Sequence, residues 1–169
     1  RSGRGEPDKG RCRVAELESA LASCTRSQDL LRAEWEHFKI LADDSPDMIF
    51  IHRNGRIVYA NRKCSELTGF TPEELSHPSF DFRRLIAPES NELIRRDYQD
   101  HLEGRDVAPL EYTLITKEGG RITGLCATRL LQHPEGVSVL GTITDITRRK
   151  QEESDLHDIA EKQQLVLDN

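Results

Sequence analysis

Aromatic residues are scarce in this sequence: five phenylalanines, three tyrosines and one tryptophan make up 5% of 169 residues, and all apolar types together reach only 36%. That is too little to fold the whole length into one globule, so one compact core flanked by polar helices is expected. A basic excess is also missing. The formal net charge of −6 argues against nucleic-acid binding, which rests on a basic surface. No apolar run approaches the ~20 residues that cross a bilayer, and no signal-peptide pattern is present. A cytoplasmic location without membrane contact is therefore expected of this stretch. Cys12, Cys24, Cys64 and Cys126 are widely scattered, with no CxxC and no histidine at metal-ligand spacing. Neither a metal site nor a disulfide framework is expected, and reduced thiols fit a cytoplasmic chain. GxSxG, Walker loop and spaced carboxylate pairs are absent too, so no enzyme is expected here. The first residue is Arg1 rather than methionine, which suggests a piece excised from a longer protein.

What is present concentrates in residues 56–75, RIVYANRKCSELTGFTPEEL. Asn54-Gly55 just before it is a strong hairpin signal, because a type I′ turn needs positive φ at both central positions. Ile57, Val58 and Tyr59 then form an apolar strand that runs into Asn61. A short helix with Leu67 on one face stops at Gly69-Phe70. Thr71-Pro72-Glu73-Glu74 follows as a capping box with proline at N1: the Thr71 hydroxyl can accept from the Glu74 N–H, and the Glu74 carboxylate from the Thr71 N–H.

Upstream, residues 1–11 are charged and aperiodic and are expected to be a disordered tail. Residues 12–45 carry a heptad, with Val14, Leu21, Gln28, Trp35 and Ala42 at a and Leu17, Cys24, Leu31 and Phe38 at d. This pattern predicts an N-terminal coiled-coil helix that joins a parallel homodimer through Val14, Leu17, Leu21, Cys24 and Leu31. Trp35 and Phe38 are the part suited to pack on the domain core instead. Pro46 ends the helix.

Strands are predicted at 48–53 and 56–60, short helices at 61–69 and 72–76, and a longer helix at 89–103. Leu110, Tyr112 and Leu114 alternate with polar neighbours, and Ile122, Gly124, Cys126 and Thr128 alternate with Thr123, Leu125, Ala127 and Arg129. Val137, Val139, Gly141 and Ile143 form the facing set on the last strand. Turns fall at Gly119-Gly120 and Pro134-Glu135-Gly136. Five strands with helices inserted between the second and third make an α+β domain with an antiparallel sheet. From Thr147 a C-terminal helix is expected to emerge, capped by the Thr147 hydroxyl or the Asp145 carboxylate, and over 150–169 it continues apolar spacing at Leu156, Ile159, Gln163 and Val166.

The order of hairpin, short helix, glycine stop and capped helix resembles the opening of a PAS domain. The segment Gly141-Thr142-Ile143-Thr144-Asp145-Ile146-Thr147 resembles the last PAS strand and its Asp-Ile-Thr exit motif. The resemblance covers residues 46–149. It implies a PAS fold, with short helices on one face of a five-stranded sheet and a pocket between them. Pocket-lining candidates are Ile49, Ile51, Leu114, Cys126 and Gly141. It further implies a sensory or relay module of a bacterial-type signalling protein, such as a two-component histidine kinase or a diguanylate cyclase. The signal would leave through Asp145, Ile146 and Thr147 into the C-terminal helix. A small-molecule ligand and an adjacent PAS or output domain are the implied partners. The alternative is a ligand-free dimerisation spacer whose pocket is filled by its own side chains.

No cofactor is identified. Flavin-binding blue-light PAS domains carry an Asn-Cys-Arg-Phe-Leu run where this chain has Ser79-Phe80-Asp81-Phe82-Arg83-Arg84-Leu85, without the thiol that attacks the flavin. Similar haem-binding oxygen sensors place a histidine where Arg95 or Arg96 stands here, and a guanidinium does not ligate iron. His101, later on that helix, is read as a solvated residue favoured by the helix dipole. His157 lacks the flanking residues of a histidine-kinase phosphoacceptor and is expected to lie on a helix surface.

Overall fold

A computed structural model of the chain describes residues 9–105, 107–133 and 136–167. The chain divides into two units, Arg1–Leu41 and Ala42–Asn169. The first is built on a long helix, α1 (Lys9–Asp43), which begins inside the segment expected to be a tail; residues 1–8 of that segment lie outside the described residues. Val14, Leu17, Leu21 and Leu31 are each more than half exposed on α1, at 54%, 63%, 69% and 65%, and Cys24 is exposed with them. Trp35 and Phe38, one turn apart, stack with ring centroids 5.3 Å apart.

The second unit is a five-stranded antiparallel sheet in the order β2-β1-β5-β4-β3, formed by β1 (Met48–Arg53), β2 (Arg56–Ala60), β3 (Leu110–Ile115), β4 (Arg121–His133) and β5 (Gly136–Asp145). Asn54 and Gly55 take φ of 49° and 81° between β1 and β2, as a type I′ turn requires. Between β2 and β3 lie α2 (Arg62–Thr68), α3 (Pro72–Leu75), two 3₁₀ turns and α4 (Asn91–Leu102). The helix expected at 89–103 thus opens as a 3₁₀ turn over Pro88–Ser90. At Thr71 both capping-box bonds are made, Thr71 N–H to Glu74 Oε2 at 2.9 Å and Glu74 N–H to Thr71 Oγ1 at 3.2 Å. Lys117 bonds Glu74 Oε1 at 2.6 Å, tying α3 to the β3–β4 turn, and its ammonium holds the Glu74 carboxyl below the usual range.

Asn61 organises the start of the domain. It is fully buried, and its Oδ1 accepts from Ile49 N–H at 2.9 Å and from Cys64 N–H at 3.2 Å. Its Nδ2 donates to the carbonyls of Ala42 at 2.7 Å and Asp47 at 2.9 Å. One side chain thereby caps α2 and fixes the entry into β1. The core lies between the sheet and the inserted helices, around Met48, Leu75, Leu85, Tyr112, Ile122 and Ile143. From Thr147 the chain continues as α5 (Thr147–Leu167). The Pro134-Glu135 part of the expected last turn lies outside the described residues. No helix among the described residues is long and apolar enough to cross a membrane.

Candidate functional site

Between the inner face of the sheet and the helices inserted after β2 lies a cavity of about 560 Å³. β1 contributes Met48, Phe50 and His52; β3 contributes Leu110, Tyr112 and Leu114; Cys126, Thr128, Val139 and Ile143 come from β4 and β5. The helical side adds Leu75, Phe80, Phe82, Leu85, Ile94 and Tyr98. This volume and mostly apolar lining are those of a small-molecule pocket. The depth of the floor depends on Gly141. A Cβ there would meet the Phe50 ring at 2.2–2.9 Å, so the absent side chain lets Phe50 lie against β5.

Polar side chains also line the cavity, Arg56, Asp81 and Arg83 among them, together with His52, Asp97, His101 and Thr128. Asp97 and His101, one turn apart on α4, flank Thr128 of β4. The Thr128 hydroxyl reaches Asp97 Oδ2 at 3.4 Å, and His101 Nε2 lies 2.5 Å from Thr128 Oγ1. Asp97 Oδ1 is buried and has no hydrogen-bond partner among the described residues. Burial raises the Asp97 carboxyl above the ordinary value, while His101 and Thr128 pull it back. His52 stands edge-on to Phe82, ring centroids 4.6 Å apart, and to Tyr98 at 6.4 Å. Its buried Nε2 also lacks a partner, and burial lowers its pKa. Cys64 and Cys126 are both pushed up to about 11 by burial. Their thiols therefore stay protonated, and thiolate chemistry has no footing at neutral pH. Among the described residues no three potential metal ligands gather.

The family model for the PAS domain matches residues 46–148. The chain belongs to the PAS domain family. No curated protein matches it. Among solved structures, a sensory box histidine kinase/response regulator from Burkholderia thailandensis is 20% identical with a TM-score of 0.59, covering 75% of this chain and 97% of that one. A domain of a sensory box sensor histidine kinase/response regulator from Geobacter sulfurreducens is 22% identical with a TM-score of 0.54, covering 68% and 96%. An RNA-binding Light-Oxygen-Voltage receptor is 19% identical with a TM-score of 0.61, covering 79% of this chain and 38% of that chain. At these identities the likeness establishes the fold.

Of the pocket candidates expected from sequence, Leu114 and Cys126 line the cavity of this PAS domain. Gly141 lies on the same face beneath Phe50. Ile49 and Ile51 do not line it; Met48, Phe50 and His52 do. Every residue of 48–51 is apolar, so hydrophobicity carries no period-2 signal there, and strand parity is set by pairing with β5. His101, expected in solvent, instead faces the cavity and bonds Thr128. His52, Asp97 and Thr128 were not singled out by sequence. The i, i+4 spacing of Asp97 and His101 was a usable signal, since it places both on one helix face.

The exit motif is tied to β4 by two hydrogen bonds and braced internally by a third. Ile146 is buried, and its N–H donates to the Thr123 carbonyl at 2.9 Å. Thr147 Oγ1 accepts from Thr123 N–H at 2.9 Å, and Asp145 Oδ1 accepts from Thr147 N–H at 2.9 Å. Asp145 thus serves an amide at the start of α5, while the Thr147 hydroxyl serves β4.

Proposed function

We propose that this PAS domain is a sensory module that binds a small ligand in its cavity and passes the change through Asp145, Ile146 and Thr147 into α5, toward an output domain. The observation that carries this is the cavity of about 560 Å³ with its mostly apolar lining. A spacer filled by its own side chains would leave no such volume, and an empty apolar cavity costs stability. The likeness to domains of sensor histidine kinases supports an output of that class. A homodimer joined through α1 is the assembly in which α5 could transmit, because the exposed Leu17, Leu21 and Leu31 recur at heptad spacing. A ligand acts by binding one packing of the module more tightly than another.

Native mass spectrometry of the protein as purified from cells tests the proposal. A retained small molecule, released on denaturation, is the expected result. Repeated isolation of an empty protein whose melting point no candidate ligand raises would instead favour a ligand-free dimerisation spacer.

A further inference from the structure

One wall of the cavity is built differently from the others, and it bears on how a ligand enters, given that the cavity binds one as proposed above. Ile94, Asp97, Tyr98 and His101 of α4 line that wall, at the i, i+3, i+4, i+7 spacing of one helix face. Yet no residue from 91 to 101 is fully buried, whereas Met48, Tyr112, Leu114, Cys126 and Ile143 of the sheet are. Helix α4 thus lacks the apolar burial that ordinarily fixes a helix to its domain. Its ion pairs stay within the helix and its C-terminal end, Arg95 with Glu92 and Arg105 with Asp100, each at 2.6 Å. Among the described residues, its side chains hydrogen-bond the rest of the domain only where Asp97 and His101 meet Thr128 of β4.

The two ends of α4 are held unequally. Just before it, the Ala87 N–H donates to the Thr113 carbonyl at 2.9 Å, and the Thr113 N–H donates to Ser90 Oγ at 3.1 Å. Ala87 and Ser90 are both buried, so the root of the helix is fastened to β3. The far end has only the link to Thr128. We infer that α4 is the gate of the cavity, hinged at Ala87–Ser90 and latched where Thr128 sits between Asp97 and His101. Cys126 stands two residues before Thr128 on the same face of β4, so opening the gate uncovers its thiol. A ligand that touches Ile94 and Tyr98 closes the gate by supplying the apolar contact that α4 lacks.

Peptide-resolved hydrogen exchange and iodoacetamide labelling of this chain, after any retained molecule has been removed, test the gate together. In the unmutated protein the amides of α4 are expected to exchange at least about tenfold faster than those of β4 and β5. Cys126 should be alkylated in step with α4 opening, ahead of global unfolding, since the reaction needs an exposed thiolate. Thr128→Val should raise α4 exchange and Cys126 alkylation together by roughly fivefold, the worth of one ordinary hydrogen bond, with β1 and β5 unchanged. His101→Leu removes the same bond from the helix side and decides the matter if Thr128→Val does not fold. Helix α4 exchanging only with the sheet, Cys126 labelled only on global unfolding, or both variants at unmutated rates would overturn the gate. A retained small molecule in native mass spectrometry beside any of those results keeps the sensory reading and removes the gate. An empty protein beside the expected rates leaves the gate in place and removes the sensory reading.

Discussion

At the scale of single residues, Asn61 and His52 show how burial turns polar groups into constraints. Both Nδ2 hydrogens and both Oδ1 acceptor sites of Asn61 are used, and the residue is fully buried. Asn61→Asp puts an acceptor against the carbonyls of Ala42 and Asp47 and leaves both without their donor. Each such orphan costs roughly 1–3 kcal/mol, so a loss of at least about 2 kcal/mol is expected from urea unfolding. A loss under about 0.5 kcal/mol, the size of an ordinary surface change, would show that the network is not structural. His52 makes stability depend on pH. Its native pKa lies below the unfolded value of 6.5, so between the two the unfolded chain binds more protons. Stability therefore rises with pH through that window and is lost as pH falls below about 6.5. Melting curves from pH 7.5 to 5 should show this slope, and His52→Gln should flatten it; an equal slope in the variant would assign it elsewhere. Neither the burial of His52 nor its cavity position was legible in the sequence, because Met48, Ile49, Phe50 and Ile51 are apolar on both faces. Asn61 was legible as the end of a strand, but not as the hub joining Ala42, Asp47, Ile49 and Cys64.

At the scale of elements, legibility follows periodicity. β3 alternates apolar and polar residues from Leu110 to Leu114, and Tyr112 and Leu114 are buried; on β4, where Leu125 and Ala127 are apolar too, Ile122 and Cys126 share the buried face at even spacing. The capping box at Thr71 and the turn at Asn54-Gly55 are local chemistry, complete within four residues, so they too were readable. Parity in β1 is tertiary, decided by pairing of Met48 with Ile143 and Phe50 with Gly141. That same pairing sets the next prediction. Gly141→Ala drives a methyl into the Phe50 ring, so Phe50 must swing toward the cavity, at a cost of roughly 1–3 kcal/mol. The variant should melt earlier and lose volume for any ligand; unchanged stability would mean the ring repacks freely. α1 carries a different test. In a parallel in-register dimer, Cys24 at d faces its copy within disulfide reach, whereas Cys64 and Cys126 are buried. Mild oxidation should yield a covalent dimer that Cys24→Ser abolishes and Cys64→Ser does not. Failure to crosslink in a chain proven dimeric by sedimentation would reject the parallel register.

At the scale of the whole molecule, the proposed path of a signal is short. Ile143 lines the cavity, Asp145 follows two residues later on the same strand, and α5 starts at Thr147. β5 also pairs with β1 and β4 along its length, so a ligand that displaces Val139 or Ile143 pushes on the strand from which α5 departs. Whether that motion reaches α5 depends on the junction. Thr147 Oγ1 and the Ile146 N–H both bond the backbone of Thr123, which locks the first turn of α5 to β4. Asp145 only restrains the turn between strand and helix. The two residues should therefore separate stability from transmission. Asp145→Ala removes a cap worth about 1 kcal/mol and should lower the melting point by a few degrees. Thr147→Val is nearly the same shape but leaves the Thr123 N–H without its acceptor, and it breaks one of the two bonds that hold the start of α5 to β4. In the full-length protein Thr147→Val should change basal output or uncouple it from ligand, beyond what the more modest Asp145→Ala produces. The comparison requires both variants at equal folded fraction, fixed from their melting curves. If output follows only the lost stability, and normal signalling returns whenever folding is restored at lower temperature, the junction is an ordinary helix start and the signal leaves the domain by another route.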